Sequence, residues 1–220
     1  MKKLIFTILF VLGCFVILLD SKTTYSKEGP VPSDRNIYYI LIHDRENINN
    51  IINLDKDFFL SKYMDYFKNN KNVPIIFNEA LKKSFPVNLA MSLAFCESSL
   101  NEKKWNENTN DSIDRGLFQL NSKSYEFLSK TEMYDPEINT KYGIAHIQEL
   151  YFKNNSYFSA LAEYNCGSIK RINPTTFKHV SNILNKEIEL NEMLVKTYEE
   201  FEWSTKLKNG YTSKVLQAGK

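Results

Sequence analysis

Histidine and arginine are scarce in this chain: of its 220 residues only His43, His146 and His179, and only Arg35, Arg45, Arg115 and Arg171, belong to these types. The histidines have no paired spacing and there is no HExxH or CxxC run, which argues against a zinc centre. Basic charge is therefore almost all lysine, which lacks arginine's bidentate fork for phosphate. With 28 basic against 26 acidic side chains there is also no strong field, so a nucleic-acid role has no support. A Gly-rich phosphate loop and internal repeats are missing as well. Seven glycines and six prolines are too few for a fibrous or low-complexity chain. What is present is 43% hydrophobic and 25% charged residues, a globular balance, in a length that suits one sizeable core.

The first residues have their own pattern. Met1-Lys2-Lys3 precede a 16-residue apolar run from Leu4 to Leu19, after which Asp20, Ser21 and Lys22 restore polarity. Two lysines before an apolar core read as an export signal. The run exceeds the usual signal core and falls short of a comfortable membrane span, so cleavage and retention as an N-terminal anchor both stay open. Val11-Leu12-Gly13-Cys14 resembles a bacterial lipoprotein processing box, in which Cys14 would be lipidated. Phe15 to Leu19 stay apolar, however, which fits a free membrane-embedded cysteine equally well.

Residues 20–53 read as a polar spacer followed by a packing arm, with Gly29, Pro30 and Pro32 close together and a short strand or arm at Tyr38 to Ile42. In 54–73, Phe59, Tyr63, Tyr66 and Phe67 recur at helical spacing and predict an accessory amphipathic helix. A main domain is expected over 74–180 and a helical extension over 181–220. Pro74 suits a first helical turn, because its missing N–H would be unpaired there anyway. From Val87 to Glu97 there is little polar surface, which predicts a central buried helix. Asn101 to Asp114 has no apolar repeat and reads as a long surface connection or a small irregular lobe. Further helices are expected at 121–129, 139–153, 157–164 and 176–207, the last broken or composite, with Gly210 as a stop.

Glu97 stands out because it ends the most apolar of these helices, on the face of Ala90, Leu93 and Ala94. A carboxyl group held there loses water, which disfavours its charged form and equips it as a general acid. An ordinary helix-end carboxylate turned to solvent is the other reading that spacing allows. His146, within Ile144-Ala145-His146-Ile147, reads as a packing side chain.

Three segments occur in order: Glu97-Ser98-Ser99-Leu100, Gly116-Leu117-Phe118-Gln119-Leu120-Asn121, and Ala160-Leu161-Ala162-Glu163-Tyr164-Asn165-Cys166-Gly167. Together they resemble the lysozyme-like soluble lytic transglycosylases over about residues 74–170, and Asp135-Pro136-Glu137-Ile138-Asn139 with Gly143 resembles that family's helix entry. The resemblance implies a mainly α, lysozyme-like (goose-type) helical domain with a substrate cleft. It implies cleavage of the β-1,4 bond between N-acetylmuramic acid and N-acetylglucosamine in peptidoglycan, leaving a 1,6-anhydro end, with no metal or organic cofactor. Glu97 would be the single acid and then base. Tyr164 and Asn165 would line the cleft, Tyr164 donating a hydrogen bond that orients Glu97. Gln119 would contact sugar, Phe118 would lie under the saccharide, and Ser98 would touch peptide or sugar. Gly116 would let the chain turn closely past the cleft, and Leu120 would belong to the core.

Two features depart from the family pattern. Asp114 stands in a stretch that also resembles specialised transglycosylases of secretion machines and animal-type lysozymes, so hydrolysis by Glu97 and Asp114 together is the competing outcome. Cys96 and Cys166 flank residues that the family fold brings together, so a disulfide between them is expected beside the alternative of two free thiols. Retained Glu97, Gln119, Tyr164 and Asn165 argue against a non-catalytic peptidoglycan-binding module. By resemblance the partners are glycan strands, with envelope secretion or motility machinery as a further possibility and the membrane as a partner if the leader is kept. The expected location is the periplasm or cell envelope.

Overall fold

The computed structural model describes residues 45–218, with side chains described to residue 205 apart from Glu46. The export leader, the Cys14 box and the arm at 38–42 lie outside the described residues.

Helix α1 (Arg45–Ile52) is followed by α2 (Lys56–Tyr66), where the stripe of Phe59 and Tyr63 is buried as its spacing predicts. Asp55 caps α2 by accepting from the Phe58 N–H. Helix α3 (Val73–Lys82) carries Pro74 in its first turn and buries Val73, Ile76, Phe77 and Ala80. Ser84, at φ 52°, then turns the chain into α4 (Val87–Ser98), which packs against α3. Helix α4 is buried without a break from Val87 to Ala94. Full burial of Leu89, Met91 and Leu93 contributes about 1.5–3 kcal/mol each. Ser99 ends the helix in the left-handed region at φ 56°, so the chain reverses immediately behind Glu97.

The stretch expected to be irregular folds into a small antiparallel sheet in the order β1 (Trp105–Glu107), β2 (Ile113–Arg115), β3 (Leu120–Asn121). Asp114 in the central strand lies opposite Asn106 on one side and Asn121 on the other. The expected helix at 121–129 is not formed, because Asn121 belongs to β3 and turns follow it. Helix α5 (Lys130–Tyr134) starts instead at Ser129, whose hydroxyl and the Glu132 carboxylate form a reciprocal capping box. Asp135 caps α6 (Pro136–Asn154), and Ser156 caps α7 (Tyr157–Cys166), which ends at Gly167 with φ 72°. A short 3-10 turn (Ile169–Arg171) leads into α8 (Pro174–Ala218).

Helix α8 is continuous, neither broken nor stopped at Gly210. Its buried face, with Val180, Ile183, Leu190, Leu194 and Tyr198, lies along α4 and α7. Asn88 of α4 accepts from the Tyr63 hydroxyl of α2 and donates to Asn191 of α8 over 2.6 Å, so a buried polar chain ties the three helices together. Arg45 donates to both Glu187 carboxylate oxygens, from Nε at 2.6 Å and from Nη2 at 2.7 Å, and fastens α1 to α8. The result is a mainly helical domain with one small sheet beside the end of its central helix.

Candidate active site

The end of α4, the sheet with its following turn, one side of α6 (His146, Leu150, Lys153) and the end of α7 through the 3-10 turn surround a cavity of about 760 Å³. Glu97 lines it together with Asp114, Gln119, Tyr164 and Asn165, so these sequence-selected residues come together at one place. Ser98 and Phe118 do not line it.

The wall formed by 116–120 owes its shape to α6. Gly116 sits at φ +81°, and a Cβ there would meet the Asn139 amide nitrogen at 2.2 Å, so glycine is required on both backbone and steric grounds. Asn139 is fully buried and ties the wall to α5 and α6: Nδ2 donates to the carbonyls of Arg115 (2.8 Å) and Met133 (2.7 Å), and Oδ1 accepts from the Phe118 N–H (2.8 Å). One turn on, a Cβ at Gly143 would lie 2.3 Å from the Phe118 ring. Phe118 is thus packed into the core against α6 rather than laid under a saccharide. Leu120 is buried, in keeping with a core role. Ser98 also differs from expectation. Its buried hydroxyl bonds the carbonyls of Ala94 and Leu117 at 2.9 Å, tying the end of α4 to the wall rather than reaching substrate.

Gln119, at φ 47°, directs Nε2 to the carbonyls of Gly116 (2.8 Å) and Lys104 (3.2 Å), so what its side chain can offer a ligand is its oxygen. The Tyr164 hydroxyl donates to the Phe118 carbonyl at 2.7 Å and not to Glu97. Burial, and next the charge of Glu97, push the Tyr164 phenol well above its ordinary range, so it stays a neutral donor. Asn165 is exposed at the cavity. Asp114 uses both carboxylate oxygens locally, accepting from Asn121 at 2.7 Å and Asn108 at 2.9 Å. Its carboxylate therefore braces the sheet.

Cys96 and Cys166 are free thiols, not the expected disulfide. Neighbouring helix positions point about 100° apart, and Cys96 turns from the cavity side toward Lys186 and Glu189 of α8. Burial, aided by the charge of Glu97, pushes its thiol up to about 11. The Cys166 thiol points back to the carbonyls of Ala162 and Ser168. Thiol counting without reductant should find both Cys96 and Cys166 reduced.

The partner of Glu97 is a residue that sequence reasoning missed. Nε2 of His179, in the second turn of α8, lies 3.0 Å from Oε1 of Glu97, with only 13% of the glutamate side chain and 20% of the histidine exposed. The hydrogen bond with Glu97 raises the His179 pKa above its ordinary 6.5, against the opposing effect of burial. A histidine whose folded pKa is raised adds stability in full below its unfolded value, and loses it as pH rises through the folded value. The melting temperature of the wild type should therefore fall relative to that of His179→Gln as pH rises above about 6.5, which a pair of pH-resolved melting series would check. His146 packs between Tyr125 and Tyr164, and burial lowers its pKa.

Comparison with known proteins gives one family. The model of the transglycosylase SLT domain matches residues 74–187, from α3 through the turn of α8 that follows His179. No curated protein and no solved structure matches the chain. The match spans more than half of the sequence and contains every side chain described at the cavity, and the mainly helical domain is consistent with the lysozyme-like fold of that family: this chain belongs to the transglycosylase SLT domain family, whose membership supports lytic transglycosylase activity on the cell wall.

Proposed function

We propose that this protein cleaves the β-1,4 bond between N-acetylmuramic acid and N-acetylglucosamine and closes a 1,6-anhydro ring on the muramic acid, with Glu97 as the single acid and base. The observation that carries this reading is Glu97 itself, a mostly buried carboxyl facing the same cavity as Gln119, Tyr164 and Asn165. Glu97 protonates the leaving glycosidic oxygen as the bond to C1 breaks. Positive charge develops on the muramic acid ring, and the ionised Glu97 then takes the proton of that sugar's C6 hydroxyl as its oxygen bonds C1. The internal hydroxyl outcompetes water because it is already held beside the reacting carbon. Gln119 presents an acceptor oxygen for sugar N–H or O–H groups, and Asn165 presents its amide at the same cavity. The occupied carboxylate of Asp114 favours a bracing role over that of second catalytic carboxylate. The export leader supports placing this site on the wall side of a membrane, with cleavage or anchoring of the leader as the two routes there.

The product end decides between this chemistry and hydrolysis. Protein incubated with intact sacculi should release fragments that, weighed by mass spectrometry without a reducing step, carry anhydro ends about 18 Da lighter than hydrated ends. Predominantly hydrated ends would establish a lysozyme-like hydrolase and defeat the proposal. In parallel, Asp114→Asn should lower turnover by less than about tenfold, well short of the roughly 10²–10⁴-fold that a positioned proton-transfer group supplies. Its loss should appear in the melting temperature, because an amide facing Asn108 and Asn121 cannot accept both bonds.

A further inference from the structure

We infer that His179 is the positioning residue of Glu97 and also its proton store: the imidazole fixes one carboxylate oxygen and keeps beside it the proton that the acid step delivers. This rests on Glu97 being the acid and base of the cleft. The geometry is specific. Glu97 and His179 come from α4 and α8, 82 positions apart in sequence, and meet at 3.0 Å with both side chains largely withdrawn from water. A general acid must hold a proton at the pH of its work. The pair supplies one, because a proton resting on the imidazole is one transfer away from Oε1.

The cycle balances. At rest the imidazolium donates Nε2–H to Oε1 of the Glu97 carboxylate. In the acid step that proton passes to Glu97 and from it to the glycosidic oxygen. The C1–O bond breaks with its electron pair going to that oxygen, which leaves neutral imidazole, carboxylate and a positive sugar. In the base step the C6 oxygen bonds C1, and its proton passes to Glu97 and back to Nε2. One proton leaves the pair and one returns, so ring closure needs none from solvent. Hydrolysis would instead take its returning proton from water.

The form that reacts carries one proton on the pair, and it is lost on the alkaline side at a pKa that belongs to the pair. That value lies above 6.5 because of the Glu97 hydrogen bond. Other titratable or charged groups around the cavity are differently engaged. Asp114 on β2 is held by two amides, Tyr164 on α7 donates to Phe118, and Glu163 is paired with Lys153. Arg171 follows α7 and carries fixed charge, while His146 on α6 has a pKa lowered by burial. Cys96, beside Glu97, is pushed up to about 11. The Cys166 thiol on α7 donates to the carbonyls of Ala162 and Ser168, Lys123 donates to the Asn110 carbonyl, and burial pushes the Tyr125 phenol up to about 12. The alkaline limb, above the ordinary histidine value, is therefore assigned to the His179–Glu97 pair.

The test uses the full chain, intact sacculi and initial rates of fragment release over a pH series. His179→Gln keeps an amide that can donate to Oε1 but has no proton to give. Its alkaline limb should move at least about one pH unit toward acid, so that activity at about pH 8 falls roughly tenfold or more relative to activity at about pH 5.5. Activity in His179→Gln with the wild-type pH profile would overturn the inference, since a purely positional role is met by the amide. A second measurement does not depend on His179→Gln folding: NMR titration of the His179 ring in the wild type and in Glu97→Gln. The ring should titrate above about 6.5 in the wild type and at least about one unit lower in Glu97→Gln. Identical titration in both overturns the inference. Lysis preserved in Glu97→Gln is a separate result, which removes the acid and base reading itself.

Discussion

Glu97→Gln should abolish release of soluble fragments from sacculi, with a fall of at least about 10³-fold, while binding to the same sacculi persists. Glutamine nearly preserves the shape of glutamate and still presents an oxygen toward Nε2 of His179, so the fold and the cavity should survive. What it cannot do is give and then recover a proton. Both halves of the reaction fail together, so no covalent or hydrated product should accumulate. Fragment release by mass spectrometry and pelleting of protein with sacculi separate chemistry from binding. If release continues within about tenfold of the wild type, Glu97 is not the acid. The same variant should lose the pH dependence of stability that the His179–Glu97 pair confers, because the raised histidine pKa disappears with the negative charge.

Gly143→Ala should be severely damaging for the addition of a single methyl group. The added Cβ would fall 2.3 Å from Cγ and 2.4 Å from Cβ of Phe118, a fully buried ring with no flexible end to move aside. Overpacking of a tight core costs about 1–3 kcal/mol in ordinary cases, and the overlap here places the expected loss at about 3 kcal/mol. For a chain of this size that corresponds to a melting temperature roughly 6–12 °C lower. Displacing Phe118 also moves the Phe118 carbonyl that Tyr164 holds, and the neighbouring Gln119. Turnover should therefore fall even below the melting transition, which distinguishes a distorted wall from a merely less stable fold. Gly167→Ala is the control. Its Cβ would meet nothing within 4 Å, so only the left-handed backbone penalises it.

The central helices were readable because their signals are local: Pro74 and Pro86 mark their starts, and the apolar run from Val87 to Ala94 requires a buried helix. The motif residues Glu97, Gln119, Tyr164 and Asn165 are likewise legible as an ordered set, and all four line one cavity. The sheet was not readable, since strands of three or two residues, with all of Trp105 to Glu107 on the exposed side, carry no alternating pattern. The helix expected at 121–129 failed because the Asn121 amide is drawn to Asp114 and Ser112, a cross-strand commitment that periodicity does not express. A local signal did exist eight residues later in Ser129-Lys130-Thr131-Glu132, which forms the capping box that starts α5. Ser98 and Phe118 show a different limit: a motif names residues that matter without saying whether they face substrate or hold the wall. His179 was invisible for a physical reason. Its partner is 82 residues away, and a lone histidine beside the apolar stripe of Val180 and Ile183 looks like any helix-flank residue.

Asn139 and Gly143 sit four residues apart on one face of α6, the first bonding the Arg115 carbonyl and the Phe118 N–H and the second making room for the Phe118 ring. The contour of the cleft is thus stored in a helix that contributes neither of these side chains to it. A segment spanning 105–121 moved to another helical scaffold would not carry its shape along. Its host would have to provide an amide at one turn and an empty space at the next, so the unit that can be transplanted is the sheet, its following turn and α6 as one piece.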